Sequence, residues 1–338
     1  MTIDDAIAHA KLCRNQKSEN IIMNKNSIGI LATFGPSCSE ESTVVNMVKA
    51  GVTAFRLNLA MADAEQHNST IAYLNSIRDN YKLNFSILID IQGQKLRLGE
   101  VSSGSTVIDT GADVVIDSKE GSSDSSTLYL ANRVVFETLN VGDVIRLNDA
   151  RVEIVLREKK AHCFSGVAKR GGKIKSLCGI NFPDVNLNLS ALCEDDILML
   201  GELDLTEVDD IALSFVGGAE DLNLLHKLLQ ERKAQKRVVA KIERSVAIEN
   251  LSQIIDCCDE ILVGRGDLGA ELGIEHVPHA QNKIMSIAKE KNHHVILATH
   301  VLSSMTDSEM PTRAEVNDIA TGIKQGVNTF CLSEETAI

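Results

Sequence analysis

Tryptophan is absent from the 338 residues, and aromatic residues make up only 3% of the chain. A surface that stacks bases or sugar rings on aromatic faces is therefore excluded as a leading idea. Basic residues are in deficit, 34 Lys and Arg against 47 Asp and Glu, and the net charge of -13 argues against a broad nucleic-acid footprint. No apolar run approaches the ~20 residues that a membrane span needs. The opening Met1-Thr2-Ile3-Asp4-Asp5 lacks the basic start and apolar stretch of a secretion signal. No pair of cysteines has C-x-x-C spacing. The eight cysteines, at 13, 38, 163, 178, 193, 257, 258 and 331, are scattered, which reads as small core residues in a reducing compartment. The histidines at 276 and 279, and at 293 and 294, have no cysteine or carboxylate at a diagnostic spacing. They read as surface or loop residues rather than metal ligands. A cytoplasmic protein with no nucleic-acid or membrane partner is expected.

What is present is a rhythm. Hydrophobic residues reach 44%, enough for a sizeable core, and the length suits about two domains at ~150 residues each. Short apolar runs at 28–32, 53–57, 86–89, 211–215, 238–242, 260–263, 295–298 and 329–332 read as buried parallel strands. Amphipathic stretches at 40–50, 63–79, 221–234, 247–257, 278–291 and 312–325 read as the crossover helices between them. Eight such runs predict a (β/α)8 TIM barrel of the α/β class. A doubly wound sheet is the alternative, but no glycine-rich dinucleotide loop follows the first strand. Between about Leu98 and Cys178 the pattern changes to short strands and Gly/Ser turns, which predicts a small all-β domain inserted after strand three. The expected organisation is an N-terminal helical extension over 1–26, a barrel from 27–97 and 179–338, and the inserted domain over 98–178.

In such a barrel, chemistry gathers where strands end. The residues just past the runs are Thr33 to Pro36, Arg56 to Asn58, Asp90 with Lys95 and Arg97, Ser214, Lys241 to Glu243, Gly264 to Gly269, Thr299-His300 and Ser333 to Thr336. Glu243 and Asp267 could hold a hard divalent cation with open positions for substrate oxygens. Arg56, Arg97 and Lys241 are expected to converge on the same mouth, where they suit a phosphorylated anion. The plainer reading of these charges is structural pairing, Lys241 with Glu243 and Arg265 with Asp267 in a loop.

Longer segments carry a resemblance. ATFGPS (32–37), FRLNL (55–59), LIDIQGQKLRLG (88–99), GINFP (179–183), AKIER (240–244), GRGDLGAEL (264–272), LATHVLSSM (297–305), PTRAEVNDIA (311–320) and LSEETA (332–337) occur in this order. Over about Ser27 to Ala337 the chain resembles pyruvate kinase. The resemblance implies the barrel with its β domain as a lid, and transfer of phosphate from phosphoenolpyruvate to ADP. It implies Glu243 and Asp267 as Mg2+ or Mn2+ ligands, Lys241 on the transferring phosphoryl group and the enolate, and Arg56 on the substrate phosphate. It further implies Thr299 with Gly266 and Asp267 around the substrate, Ser333 in proton delivery, and Thr33, Pro36 and Arg97 on the nucleotide. A homo-oligomer is expected as well.

Departures from the family pattern bear on what is expected. Asn58 and Asp90 match two ligands of the family's monovalent-cation site, but Ala60 and Ile91 replace the other two. Lys95 stands where potassium-dependent members carry glutamate, so potassium independence is expected. Met61, Leu177-Cys178, Gly217-Gly218, His300 and Glu334 also depart, mostly on the nucleotide side and the rim. These losses keep open two other readings. One is a nucleotide-independent, metal-dependent decarboxylase or lyase acting on a 2-oxo acid or enol phosphate. The other is a non-catalytic phosphoenolpyruvate-binding relative. The closing eighth helix and the C-terminal regulatory domain of typical members are not expected in this chain.

Overall fold

In the computed structural model, which describes residues 28–130, 132–183, 185, 187 and 189–338, eight parallel strands close into a barrel. They are β1 (Gly29–Thr33), β2 (Ala54–Asn58), β3 (Ser86–Ile91), β4 (Asp210–Leu213), β5 (Arg237–Ile242), β6 (Glu260–Gly264), β7 (His294–Ala298) and β8 (Thr329–Leu332). Each pairs with its neighbours in sequence order, and β8 returns to β1. All eight expected strands are therefore present, with ends displaced by at most two residues. The expected helix at Ile3–Cys13 lies outside the described residues. No helix among the described residues is long and apolar enough to cross a membrane.

Alternation along the strands explains the interior. Leu31, Leu88, Ala212, Val239, Leu262, Ile296 and Cys331 form one apolar layer inside the barrel. Because side chains alternate with period two, the next inward positions are Thr33, Asp90, Ser214, Lys241 and Gly264, with Arg56 following Ala54 on β2. A dry layer thus supports a polar layer at the C-terminal mouth. The opposite faces of the strands carry Ile87, Ile89, Ile211, Val238, Ala240 and Ile261 into the larger core beneath the helices.

The helices carry their own local signals. Asp63 caps Ala64–Asn80 by accepting from the Gln66 amide, and Thr312 and Glu315 form a reciprocal capping box on Arg313–Gln325. Gly51 (φ 118°) and Gly326 (φ 100°) end their helices in the left-handed conformation. Sequence reading missed Glu194–Glu202, and it merged Ser245–Glu249 with Leu251–Asp256. It also took the segment after β6 for a loop, whereas Arg265–Leu272 is helical.

After β3 the chain builds the inserted domain, a six-stranded sheet and a two-stranded ribbon with one short helix, Arg133–Thr138. Four of its strands match expectation, while Ser105–Ile108, Cys163–Arg170, Gly172–Lys175 and Ile180–Asn181 were not foreseen. The last of these pairs with Arg146-Leu147, so the inserted sheet continues beyond residue 178. Its apolar core, from Leu98 to Leu187, shares no residue with the barrel cores. At the neck, Leu98 donates to Cys178 and Ile180 donates to Leu96.

Candidate active site

Six strand ends meet in one network. Lys241 on β5 places its Nζ 2.7 Å from Ser214 Oγ, 3.1 Å from Asp90 Oδ1 and 3.1 Å from Glu243 Oε1. Arg56 on β2 donates from Nε to Asp90 Oδ2 at 2.7 Å and from Nη1 to Thr33 Oγ1 at 3.0 Å. Ser214 Oγ donates to Asp90 at 3.2 Å, and Thr33 Oγ1 donates to the Leu332 carbonyl. Asp90 is 2% exposed and Glu243 3%, so this is a charge network held out of water.

Burial alone would force Asp90 neutral, but Lys241 and Arg56 more than offset it and hold the carboxyl below the ordinary range. For Lys241, burial opposes the charge, yet Asp90 and Glu243 prevail and push the ammonium up to about 12. It stays charged near neutral pH and therefore serves as a fixed charge rather than a proton acceptor. Burial, with the nearby Asp267 and Asp90, raises Glu243 in spite of Lys241. The Phe215 amide donates to Glu243 Oε2 at 3.0 Å and orients it.

Glycines let the carboxylates and the β7 loop close in. A Cβ on Gly264 would lie 2.6 Å from Glu243 Cγ, and one on Gly266 would lie 2.8 Å from Thr299 Cγ2. Thr299 and His300 both adopt left-handed backbone, φ 68° and 54°. For residues other than glycine that conformation costs roughly 1–2 kcal/mol each. Ser333 follows β8, and its amide donates to Glu335 Oε2 at 2.6 Å. The other oxygen of Glu335 accepts from the Leu302 amide at 2.9 Å, which ties the loops after β7 and β8 together.

Some expected groupings are rearranged. Arg97 does not join the cluster: it sits at the neck of the inserted domain, forms a bridge with Gly179 and donates to the Leu177 carbonyl at 3.1 Å. With Lys95, Asn148, Lys175 and Ser176 it lines a cavity of about 360 Å³. The chain turns there through three consecutive left-handed residues, Asn148 to Ala150. Arg265 pairs with Asp318 rather than with Asp267. Asp267 is instead paired with Lys95 at 2.7 Å, and the Lys95 ammonium lies 5.8 Å from the centroid of the Phe215 ring. The Lys241–Glu243 pairing is present, but as one edge of the larger network. Asn58 caps its own turn by accepting from the Ala60 amide. Pro36 begins a short 3-10 turn, Pro36–Cys38, beyond Thr33. His293 is buried against Cys258, at 3.6 Å, and is not a surface residue.

Glu243, Asp267 and Lys95 line a second cavity, of about 60 Å³, with Phe215, Asn181 and Phe182. Two hard carboxylates, one of them buried and raised, suit a divalent cation that completes its shell with ligand or water oxygens. No group of three or more His, Cys, Asp or Glu that could hold a metal occurs among the described residues. Sequence reasoning placed Ser214 and Glu335 past strand ends without a role, and it missed Phe215. The period-two step from Ala212 to Ser214 was the available signal for the first.

Fold and site together define a (β/α)8 barrel with a charged mouth and a β domain inserted after its third strand. Residues 25–338 match the pyruvate kinase barrel-domain family, and the chain belongs to the pyruvate kinase family. It is 33% identical over 309 residues to pyruvate kinase of Thermococcus litoralis, covering 91% of this chain and 65% of that protein. It is 34% identical over 313 residues to the Mycobacterium intracellulare pyruvate kinase, covering 91% and 66%. The crystal structure of a pyruvate kinase from Cryptosporidium parvum superposes with a TM-score of 0.87 at 25% identity, covering 93% of this chain and 66% of that one. The chain thus spans about two thirds of the length of these relatives.

Proposed function

We propose that the chain catalyses phosphoryl transfer from phosphoenolpyruvate to ADP, giving pyruvate and ATP. The observation that carries this reading is the buried network of Lys241, Asp90, Arg56 and Ser214 beside Glu243. Arg56 binds the substrate phosphate, and its bonds to Asp90 and Thr33 fix the guanidinium before substrate arrives. Lys241 places a permanent positive charge where negative charge builds on the bridging oxygen as it becomes the oxygen of the enolate. Its contribution is preorganised electrostatics, the main form of catalysis in phosphoryl transfer. As the phosphorus–oxygen bond of the enol phosphate breaks, one forms to the terminal phosphate of ADP, and the enolate takes a proton at its methylene carbon. Thr299 and the amides near Gly266 and Asp267 face that carbon and the carboxylate, and Ser333 lies on the route of the proton. Thr33, Pro36 and Arg97 attend the nucleotide. Glu243 and Asp267 would hold Mg2+ or Mn2+, which supplies Lewis-acid charge for the phosphate oxygens. A monovalent cation is not needed. Asp90 is already committed to two cations and a hydroxyl, and Lys95 supplies a fixed ammonium at the rim.

The test mixes the purified protein with phosphoenolpyruvate, ADP and Mg2+ in the absence of potassium and follows pyruvate. Pyruvate should form only with ADP. Lys241→Ala, or Lys241→Met with its retained stem, should lower turnover by at least about 10³-fold while circular dichroism stays native. ADP-independent pyruvate would turn the reading to a nucleotide-free enzyme on enol phosphates. An unchanged rate in both variants would overturn the role of Lys241.

A further inference from the structure

The backbone after β7 is held in a conformation that its residues disfavour. Thr299 is β-branched and His300 is bulky, yet both are left-handed. The group that faces their carbonyls is the guanidinium of Arg265, the first residue of the helix after β6. Its Nε donates to the carbonyls of Ala298 at 3.2 Å and Thr299 at 3.1 Å. Its Nη2 donates to Thr299 at 2.7 Å and His300 at 3.2 Å. The remaining arm, Nη1, reaches Asp318 Oδ2 on the helix that precedes β8, at 2.5 Å. Three successive carbonyls and one carboxylate thus share a single rigid fork, which a lysine ammonium cannot reproduce. The adjacent residue, Gly266, leaves the space into which the Thr299 methyl packs. Consecutive residues therefore fix the backbone and the side chain of Thr299.

We propose that Arg265 is a positioning residue that acts on the reaction through Thr299, with Asp318 as its anchor. The inference rests on the pyruvate kinase reading, in which Thr299 faces the enolate. A guanidinium that served stability alone would change melting temperature and leave turnover per folded molecule intact. One that positions Thr299 must alter turnover and must do so only while Thr299 is present.

The experiment compares Arg265→Lys, Thr299→Ala and the double variant with the parent protein. Arg265→Lys should lower kcat roughly 10- to 100-fold with KM for phosphoenolpyruvate within about twofold. In the Thr299→Ala background the same change should add less than about twofold. A readout independent of turnover is the 13C-methyl resonance of Thr299, assigned by its loss in Thr299→Ala. It should shift in Arg265→Lys while the threonine methyls remote from β7 stay in place. Unchanged kcat with an unmoved methyl, or full multiplicative losses in the double variant, would overturn the proposal. If Arg265→Lys does not fold, Asp318→Asn retains the guanidinium and should give a smaller shift of the same resonance; no shift there would also overturn it. Should the parent protein itself form no pyruvate, the pyruvate kinase reading fails, and the methyl resonance alone decides whether Arg265 positions Thr299.

Discussion

An ammonium 2.7 Å from a carboxylate neutralises it without any ion from solution, and Lys95 stands in that relation to Asp267. Its ammonium is further steadied near the Phe215 ring. Turnover is therefore expected to be indifferent to potassium at constant ionic strength. Lys95→Glu should reverse this, because a second carboxylate beside Asp267 calls for a compensating cation; its rate should be low in tetramethylammonium and rise with added potassium. Strong activation of the parent protein by potassium would overturn the idea. Much at this scale was legible in the sequence. Arg56, Asp90, Lys241 and Glu243 were each named at strand ends, and they do meet. What could not be read was which cation pairs with which anion. Lys95 and Asp267 lie 172 positions apart, and Arg265 finds Asp318 on a helix beyond the next strand. Local spacing cannot select among such partners.

Strand ends also organise the far side of the barrel. Asp210, Arg237, Glu260 and His294 are the first residues of β4, β5, β6 and β7. Arg237 binds Asp210 and Glu260, each at 2.7 Å, and His294 lies 3.9 Å from Glu260. For Asp210, burial together with Glu260, Asp209 and Asp259 outweighs Arg237 and pushes the carboxyl up to about 7. The sign follows from proton binding. The folded state holds this proton more tightly than the unfolded chain, so the contribution to stability is full below the ordinary carboxylate pKa and is lost as pH rises through about 7. The melting temperature should fall as pH rises between about 4 and 7, and Asp210→Asn should flatten that fall. A parent profile already flat over this window would refute the assignment. The elements themselves were legible where two periods alternate, as in β5 followed by the amphipathic turns after Arg244. They were not legible where polar residues cap short pieces. Glu194–Glu202 begins with three acidic residues and has only two buried positions, so its apolar stripe is too short to register as a period. The helix after β6 was hidden by Gly264 before it and Gly266 within it, which close packing against Glu243 and Thr299 requires.

At the scale of the whole molecule, the inserted domain's apolar core shares no side chain with those of the barrel, and the backbone bonds at the neck, Leu98 to Cys178 and Ile180 to Leu96, tie its two connecting segments to each other. The change of pattern after strand three announced the insertion itself. The strand Ile180–Asn181 lies past the end expected at residue 178, because two residues carry no period of their own. Cooperativity in unfolding comes from shared packing, and here little is shared. Scanning calorimetry should then resolve two heat-absorption events with a calorimetric enthalpy larger than the van't Hoff value of either. A single melting temperature would be an average over two transitions. A molecule that bridges the mouth of the barrel and the inserted domain would draw the two events together, so the spacing of the peaks would serve as a gauge of occupancy even where no product is formed.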